Sequence, residues 1–305
     1  MIKRSFSIDW REWPTISLLV FVYLFWGLTT YFHRELGSAL TILFGTLAIT
    51  LYASLAHEVL HGHPTSDATV NELLVLPALS LLFPYRRFKE LHITHHNDEI
   101  LTDPYDDPET YYVTEADWRG YSTVRRQALL FMNTLFGRFL LGPAHTVIFL
   151  LKRDLPLIVK GAAGIRKAYL LHGVGVVITF YWVLYVCGMN FWFYLLLAYL
   201  GSSLLMLRTF AEHQSHASGG GRTVIIEAHW FFALLFLNNN LHIVHHRHPG
   251  LAWYDLPALY QAQRAHYWQE NKGYVFSGYW PVIRHYMFQA KEPVMHPMKR
   301  RIAEG

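Results

Sequence analysis

The sequence predicts an all-α integral membrane protein: four transmembrane helices in two hairpins, with a cytoplasmic helical cap that carries clustered histidines. Three observations predict it. The chain has 305 residues and is 52% hydrophobic but only 16% charged, where a soluble domain carries about a quarter charged residues. Four apolar runs are long enough, at roughly 17–20 residues each, to cross a bilayer. Nineteen histidines are a clear excess, and the dense clusters among them lie beyond the ends of those runs.

The runs are 14–32, 38–56, 169–187 and 191–207. Short turns at 33–37 and 188–190 join them in pairs, which makes two hairpins. Every lysine and arginine except Arg34 lies outside the runs and turns. The positive-inside rule then puts both termini and the long middle segment in the cytoplasm, with Arg208 capping the fourth run on that side. The first run is too long for a signal-peptide core and is expected to be retained. In a bacterium the expected location is the inner membrane.

Three further apolar stretches, 73–83, 128–151 and 224–237, are shorter or interrupted by Arg138, Gly142, Pro143, Glu227 and His229. If one of them crossed alone, the histidine clusters on either side would face opposite compartments. They are expected as interfacial or re-entrant helices, with Trp118, Trp230 and Trp253 at the boundary. No linker or low-complexity tract divides the chain, so residues 1–305 are expected to form one domain.

The composition also excludes functions. A net charge of +4 without a basic stripe interleaved with exposed aromatics argues against nucleic-acid binding. A single cysteine, Cys187, excludes a disulfide framework, a cysteine-ligated zinc site and an iron–sulfur cluster held by this chain alone.

The histidines form three clusters: His57 and His61 in HEVLHGH, His92, His95 and His96 in LHITHH, and His242, His245 and His246 in LHIVHH. The last two repeat the pattern Leu-His-Ile-x-His-His. On a helix, positions i, i+3 and i+4 share a face, so each cluster projects two or three imidazoles one way. His213, in RTFAEHQSH just past the last run, makes a ninth. Nine neutral ligands are too many for one ion and suit two. Imidazole serves iron, zinc and copper alike, so the residues leave the metal open. Ligating histidines commonly pass their second N–H to a carboxylate, for which Glu58, Asp103 and Glu212 are the candidates. Asp106, Asp107 and Glu109 read as a solvated loop.

These motifs resemble the membrane fatty acid desaturase and hydroxylase superfamily, whose pattern is HxxxH, then HxxHH twice. Here that pattern is His57/His61, His92/His95/His96 and His242/His245/His246, and the resemblance extends from the first run to about Pro257. FAEHQSH is similar to the Glu-His element of membrane alkane monooxygenases, which implies His213 as the ninth ligand. The resemblance implies two Fe ions, O₂ as co-substrate, and hydrogen abstraction from a methylene of a lipid-like chain. Some desaturases carry an Asn one turn before the isolated histidine; here that position is Thr209, while Asn238, Asn239 and Asn240 precede the third box. The chain shows no haem-binding cytochrome b5 extension. Electrons are expected from a separate ferredoxin- or rubredoxin-type donor.

The chemistry agrees. A saturated methylene has no acidic proton and no leaving group, so a redox metal with O₂ must do the work, and the protein must position one carbon and exclude water. An apolar tunnel is expected among Tyr23, Phe25, Trp26, Tyr31, Tyr52, Tyr181, Trp182 and Tyr185. Desaturation of a fatty acyl chain is the leading expectation. A hydroxylase, ketolase or oxidative decarboxylase acting on an alkane, acid or carotenoid stands beside it, with a metal transporter and a zinc hydrolase as rivals of other classes.

Overall fold

The computed structural model describes residues 10–98, 100–216 and 220–297. Glu99, among the acidic residues after the second box, and the two chain ends lie outside the described residues. Helix α1 (Trp13–Tyr31) opens with Pro14 in its first turn, where the missing N–H would be unpaired anyway. Helix α2 (His33–Leu60) is broken at Gly37, whose φ of 72° suits glycine, and returns along α1. Its far end delivers His57 and His61.

Helix α3 (Ala68–Leu74) is capped by Asp67, which accepts the Thr69 and Val70 amides at 2.7 and 3.1 Å. The expected helix over 73–83 is not there. The chain leaves helix after Leu74 and runs irregularly to Pro84, because Pro77 lacks the amide that a continuing helix needs. Irregular backbone in an apolar setting survives only if its polar groups are satisfied. Tyr23, Tyr52 and Tyr194 hydroxyls donate to the carbonyls of Leu74, Val75 and Leu79 at 2.6, 2.8 and 2.8 Å. His172 reaches Leu81 O at 3.1 Å.

Helices α4 (Tyr85–His96), α5 (Glu115–Gly120) and α6 (Thr123–Met132) lead to α7 (Leu135–Val159). The stretch 128–151, expected as one interrupted interfacial helix, divides instead at Asn133–Thr134. There the Thr134 hydroxyl accepts the Gly137 amide at 3.0 Å and starts a new helix. Helix α7 then runs through Arg138, Gly142 and Pro143 for 25 residues. Helix α8 (Ala163–Phe180) continues in a π-helical turn at Tyr181–Val186, and α9 (Phe191–Glu212) follows a turn at Gly188.

Among the described residues, five helical stretches are long and apolar enough to cross a membrane: Trp10–Tyr31, His33–Leu60, Leu135–Val159, Ala163–Val186 and Phe191–Glu212. Four were expected; α7 is the addition. Helix α2 is the centre of the bundle, packed against α1 on one side and α9 on another, with α7 on α9. Ile49, Leu55, Leu197 and Leu207 are fully buried there.

After α9 the chain forms a series of short elements. A two-residue strand β1 (Ile225–Ile226) precedes α10 (Trp230–Leu235), α11 (His242–Arg247), α12 (Leu256–Ala262) and α13 (Arg264–Glu270). Strand β2 (Val275–Phe276) then pairs in parallel with β1, Ile225 opposite Val275, and α14 (Tyr279–Tyr286) follows. Within the expected helix 224–237 only α10 is helical. The buried, β-branched Ile225 and Ile226 pair as strand instead.

Candidate metal centre

Each cluster occupies a short helical end pointing at one place. His57 and His61 lie in and just past the last turn of α2, and His92, His95 and His96 close α4. His242, His245 and His246 fill the six-residue α11, entered through a turn in which Leu237 and Asn238 have positive φ. His213 follows α9 in extended backbone and bridges to Thr223.

The nine side chains form two adjoining groups. His57, His61, His92, His96 and His245 make one; His95, His213, His242 and His246 make the other. Within each group, one nitrogen from every residue lies within 4.8 Å of all the others. The His96 and His246 rings stack at 4.1 Å between centroids, which joins the groups.

The donor set fits metal ions better than it fits itself. His92 Nε2 lies 2.9 Å from His57 Nε2 and 3.0 Å from His96 Nε2. His213 Nε2 lies 3.0 Å from that of His95 and 2.9 Å from that of His242, which is also 3.1 Å from His246 Nε2. A ring nitrogen carries either one hydrogen or one lone pair, so it cannot satisfy two such neighbours by hydrogen bonding. The buried Nε2 atoms of His61 and His245 have no hydrogen-bond partner among the described residues. Convergent imidazole nitrogens of this kind suit cations held between them.

The outward nitrogens are held by acceptors. His95 Nδ1 is 2.8 Å from Asp107 Oδ1, His92 Nδ1 is 3.1 Å from both Glu109 oxygens, and His242 Nδ1 is 3.0 Å from Asn239 Oδ1. An N–H donated outward from Nδ1 leaves the Nε2 lone pair facing the centre. Asn239 in turn donates to Glu212 at 3.3 Å.

These partners differ from the expected ones. Asp107 and Glu109, read as solvated loop, are the carboxylates that reach box histidines, because the loop after α4 folds back beneath its own helix. Asp103 is buried but accepts the Tyr105 amide at 2.8 Å, closing a local turn. Glu58 accepts the Trp253 amide at 3.0 Å and ties the segment after α11 to α2. Glu212 pairs with Arg208 at 2.8 Å and stands 3.6 Å from His242 Nδ1, reaching it through Asn239. The acidic run after the second box was visible in the sequence; which of its members point inward was not.

Burial sets the protonation of the cluster. It pushes His61 and His96 down to about 2, with His92 adding to the effect. Burial also holds His213, His242, His245 and His246 well below the usual imidazole range. Burial pulls His95 down too, but the Asp107 hydrogen bond and the nearby Glu109 outweigh it and raise His95 to about 9. Most of the cluster is therefore neutral and ready to donate lone pairs at neutral pH.

A cavity of about 600 Å³ opens beside the histidines and is lined by His57, His92 and His213. Ala53, Phe88, Phe149, Leu150 and Met206 line its apolar wall. Of the eight aromatic residues expected around a tunnel, Tyr52 lines this cavity. Tyr23 is bound to Leu74 O, Trp26 to the Tyr194 hydroxyl and Trp182 to Thr30. Phe25 packs between Phe21 and Phe44, and Tyr31, Tyr181 and Tyr185 are exposed on the outer surface. The cavity lies between α2, α4, α7 and α9, a set that helical periodicity alone does not select.

The model of the fatty acid desaturase family matches residues 36–279, a stretch that contains all nine histidines. The chain belongs to the fatty acid desaturase family. Membership, with five membrane-length apolar helices, makes it an integral membrane protein and an oxidoreductase of the lipid-oxidising, desaturase-like kind. A comparison with curated proteins found no match.

Proposed function

We propose that this desaturase-family chain holds two iron ions on its nine histidines and uses O₂ to introduce a double bond into a fatty acyl chain. The observation that carries the reading is the apolar cavity ending on His57, His92 and His213. A hydrocarbon lying in it meets both histidine groups. Bound there, the metal pair would supply the redox chemistry with O₂ that an unactivated C–H bond requires.

The chain's own residues do the remaining work. His57, His61, His92, His96 and His245 hold one ion, and His95, His213, His242 and His246 the other. Asp107, Glu109 and Asn239 fix the ring orientations from outside. Ala53, Phe88 and Met206 shape the channel and exclude water from the reacting carbon. Desaturation takes two hydrogen atoms, that is two protons and two electrons, from the chain. Two more electrons and two protons complete the reduction of O₂ to two waters. Those electrons come from a soluble ferredoxin- or rubredoxin-type donor.

The reading also sets the topology. Three membrane-length helices lie between His96 and His213, yet both histidines belong to one site, so an even number of them crosses. Helix α7 is the one that lies along the cytoplasmic interface. It carries the buried Arg138 and the Asp154 that pairs with Arg87 of α4, together with the polar Lys152 and Arg153. Four spans in two hairpins remain, with the histidines on the cytoplasmic side.

The test is product mass from purified protein supplied with donor, O₂ and a deuterated acyl substrate. Loss of two hydrogens supports the proposal. Gain of one oxygen, or loss of the carboxyl carbon, replaces desaturation by hydroxylation or decarboxylation on the same site. Substrate turned over without O₂ defeats the oxidase reading.

A further inference from the structure

Arg138 is a buried cation without a carboxylate. It lies in the first turns of α7, lines the cavity and is only 6% exposed. The other buried cations in the cavity wall have acidic neighbours: Arg208 has Glu212 at 2.8 Å and Lys291 has Glu292 at 3.5 Å. Among the described residues no carboxylate forms an ion pair with Arg138. A buried charge left in that state is costly, which makes the position one where a ligand's charge is missing.

The surroundings specify that ligand. Arg138 Nε donates to Met132 O at 3.0 Å, and the guanidinium carbon lies 3.7 Å over the Tyr111 ring. Nε is engaged and one face is covered, and among the described residues Tyr111 is the one side chain that hydrogen-bonds the guanidinium, so its terminal N–H groups keep donor capacity for a carboxylate. Arg138 and Lys291 both stand 5.6 Å from the centre of the Phe210 ring. Lys291 already donates to the Phe210 and His213 carbonyls. Glu292 is already bound by Tyr112 and by the Ser215 amide and hydroxyl. Of these three buried cations Arg138 alone has no ion-pair partner among the described residues, and Asp106, Asp107, Glu109 and Asp117 line the same cavity, so a single carboxylate fits it better than a multiply charged phosphate. Arg125 and Arg153 line the same cavity from exposed positions, where water screens them.

We propose that Arg138 binds the carboxylate of a free long-chain acid whose hydrocarbon occupies the cavity beside the histidines. This rests on the reading of that cavity as the acyl-chain site. The substrate is thereby taken with its charged end inside the protein, rather than as an ester whose head stays at the surface.

Binding of tritiated hexadecanoic acid to the purified, metal-loaded full chain in non-ionic detergent tests this. The competitors are unlabelled acid, its methyl ester, hexadecanol and the coenzyme A thioester. The acid is expected to compete at least about tenfold better than ester or alcohol, as a charge-assisted pair requires. Arg138→Gln brings the acid to the ester's level and leaves the ester unchanged, while Arg138→Lys restores part of the preference. Equal competition by acid and ester, a thioester that outcompetes the acid, or no displaceable binding overturns the proposal on the wild-type protein alone. Turnover is scored on the same preparation. Oxidised product without preference for the acid removes Arg138's role and spares the oxidase. Preference that depends on Arg138 without oxidised product does the reverse.

Discussion

His95 Nδ1 meets Asp107 Oδ1 at 2.8 Å with both side chains buried. The same carboxylate accepts the Thr102 amide at 2.8 Å and the Glu109 amide at 2.9 Å. One acidic side chain thus orients a metal-facing imidazole and folds the loop that brings Glu109 to His92. Asp107→Asn keeps the shape and removes the charge. It is expected to weaken metal retention by about 10–100-fold, as loss of such an outer partner does. Metal remaining after graded chelator treatment measures this, and unchanged retention would refute the role.

The clusters were legible in the sequence because helical spacing alone brings His92, His95 and His96, or His57 and His61, onto one face. The choice of Asp107 over Asp103 was not, because both lie in an irregular acidic loop where one turn decides which carboxylate points inward. Asn239 was named only as one of three asparagines; the positive φ at Asn238 selects it by turning the chain into α11. Helix α7 was obscured by its internal Gly142 and Pro143, whereas the real boundary was the Thr134 cap. The segment 73–83 read as helix from its hydrophobicity, yet its tyrosine-bonded carbonyls belong to partners distant in sequence.

Gly175 of α8 supports that irregular segment by close approach. A Cβ there would stand 2.0 Å from Leu76 O, a contact that backbone must relieve. Gly175→Ala is expected to destabilise by about 1–3 kcal/mol, the usual cost of overpacking. A lowered unfolding temperature in detergent checks it, and an unchanged one would show that α8 moves away freely.

Ala53 lies one helical turn before His57 and lines the cavity. Ala53→Phe fills that space without removing a ligand. Turnover of long acyl chains should fall by roughly tenfold or more while metal content stays at the wild-type level. Full activity in this variant would place the substrate elsewhere.

The metal-free protein should lose stability in acid. His61 and His96 sit at about 2 and His213, His242, His245 and His246 well below their ordinary range, while unfolded histidine titrates near about 6.5. As pH falls through that value the unfolded chain takes up protons that the folded cluster refuses, so the balance shifts toward unfolding. His95, raised to about 9, acts in the opposite sense. Its contribution is complete below about 6.5 and is lost as pH rises through 9, and it is one group against six. Unfolding temperatures of chelated protein at pH 7.5, 6.5 and 5.5 should fall in that order; a flat series would contradict the assignment.

Metal content per chain reads directly whether the nine histidines hold two iron ions. The protein is purified from iron-supplied cells, and iron and zinc are measured by mass spectrometry. His95→Ala and His245→Ala are compared with it, one variant from each histidine group. About two irons per chain are expected in the wild type, with a preferential loss of one in each variant. A single zinc, or metal that is indifferent to both substitutions, would contradict that expectation.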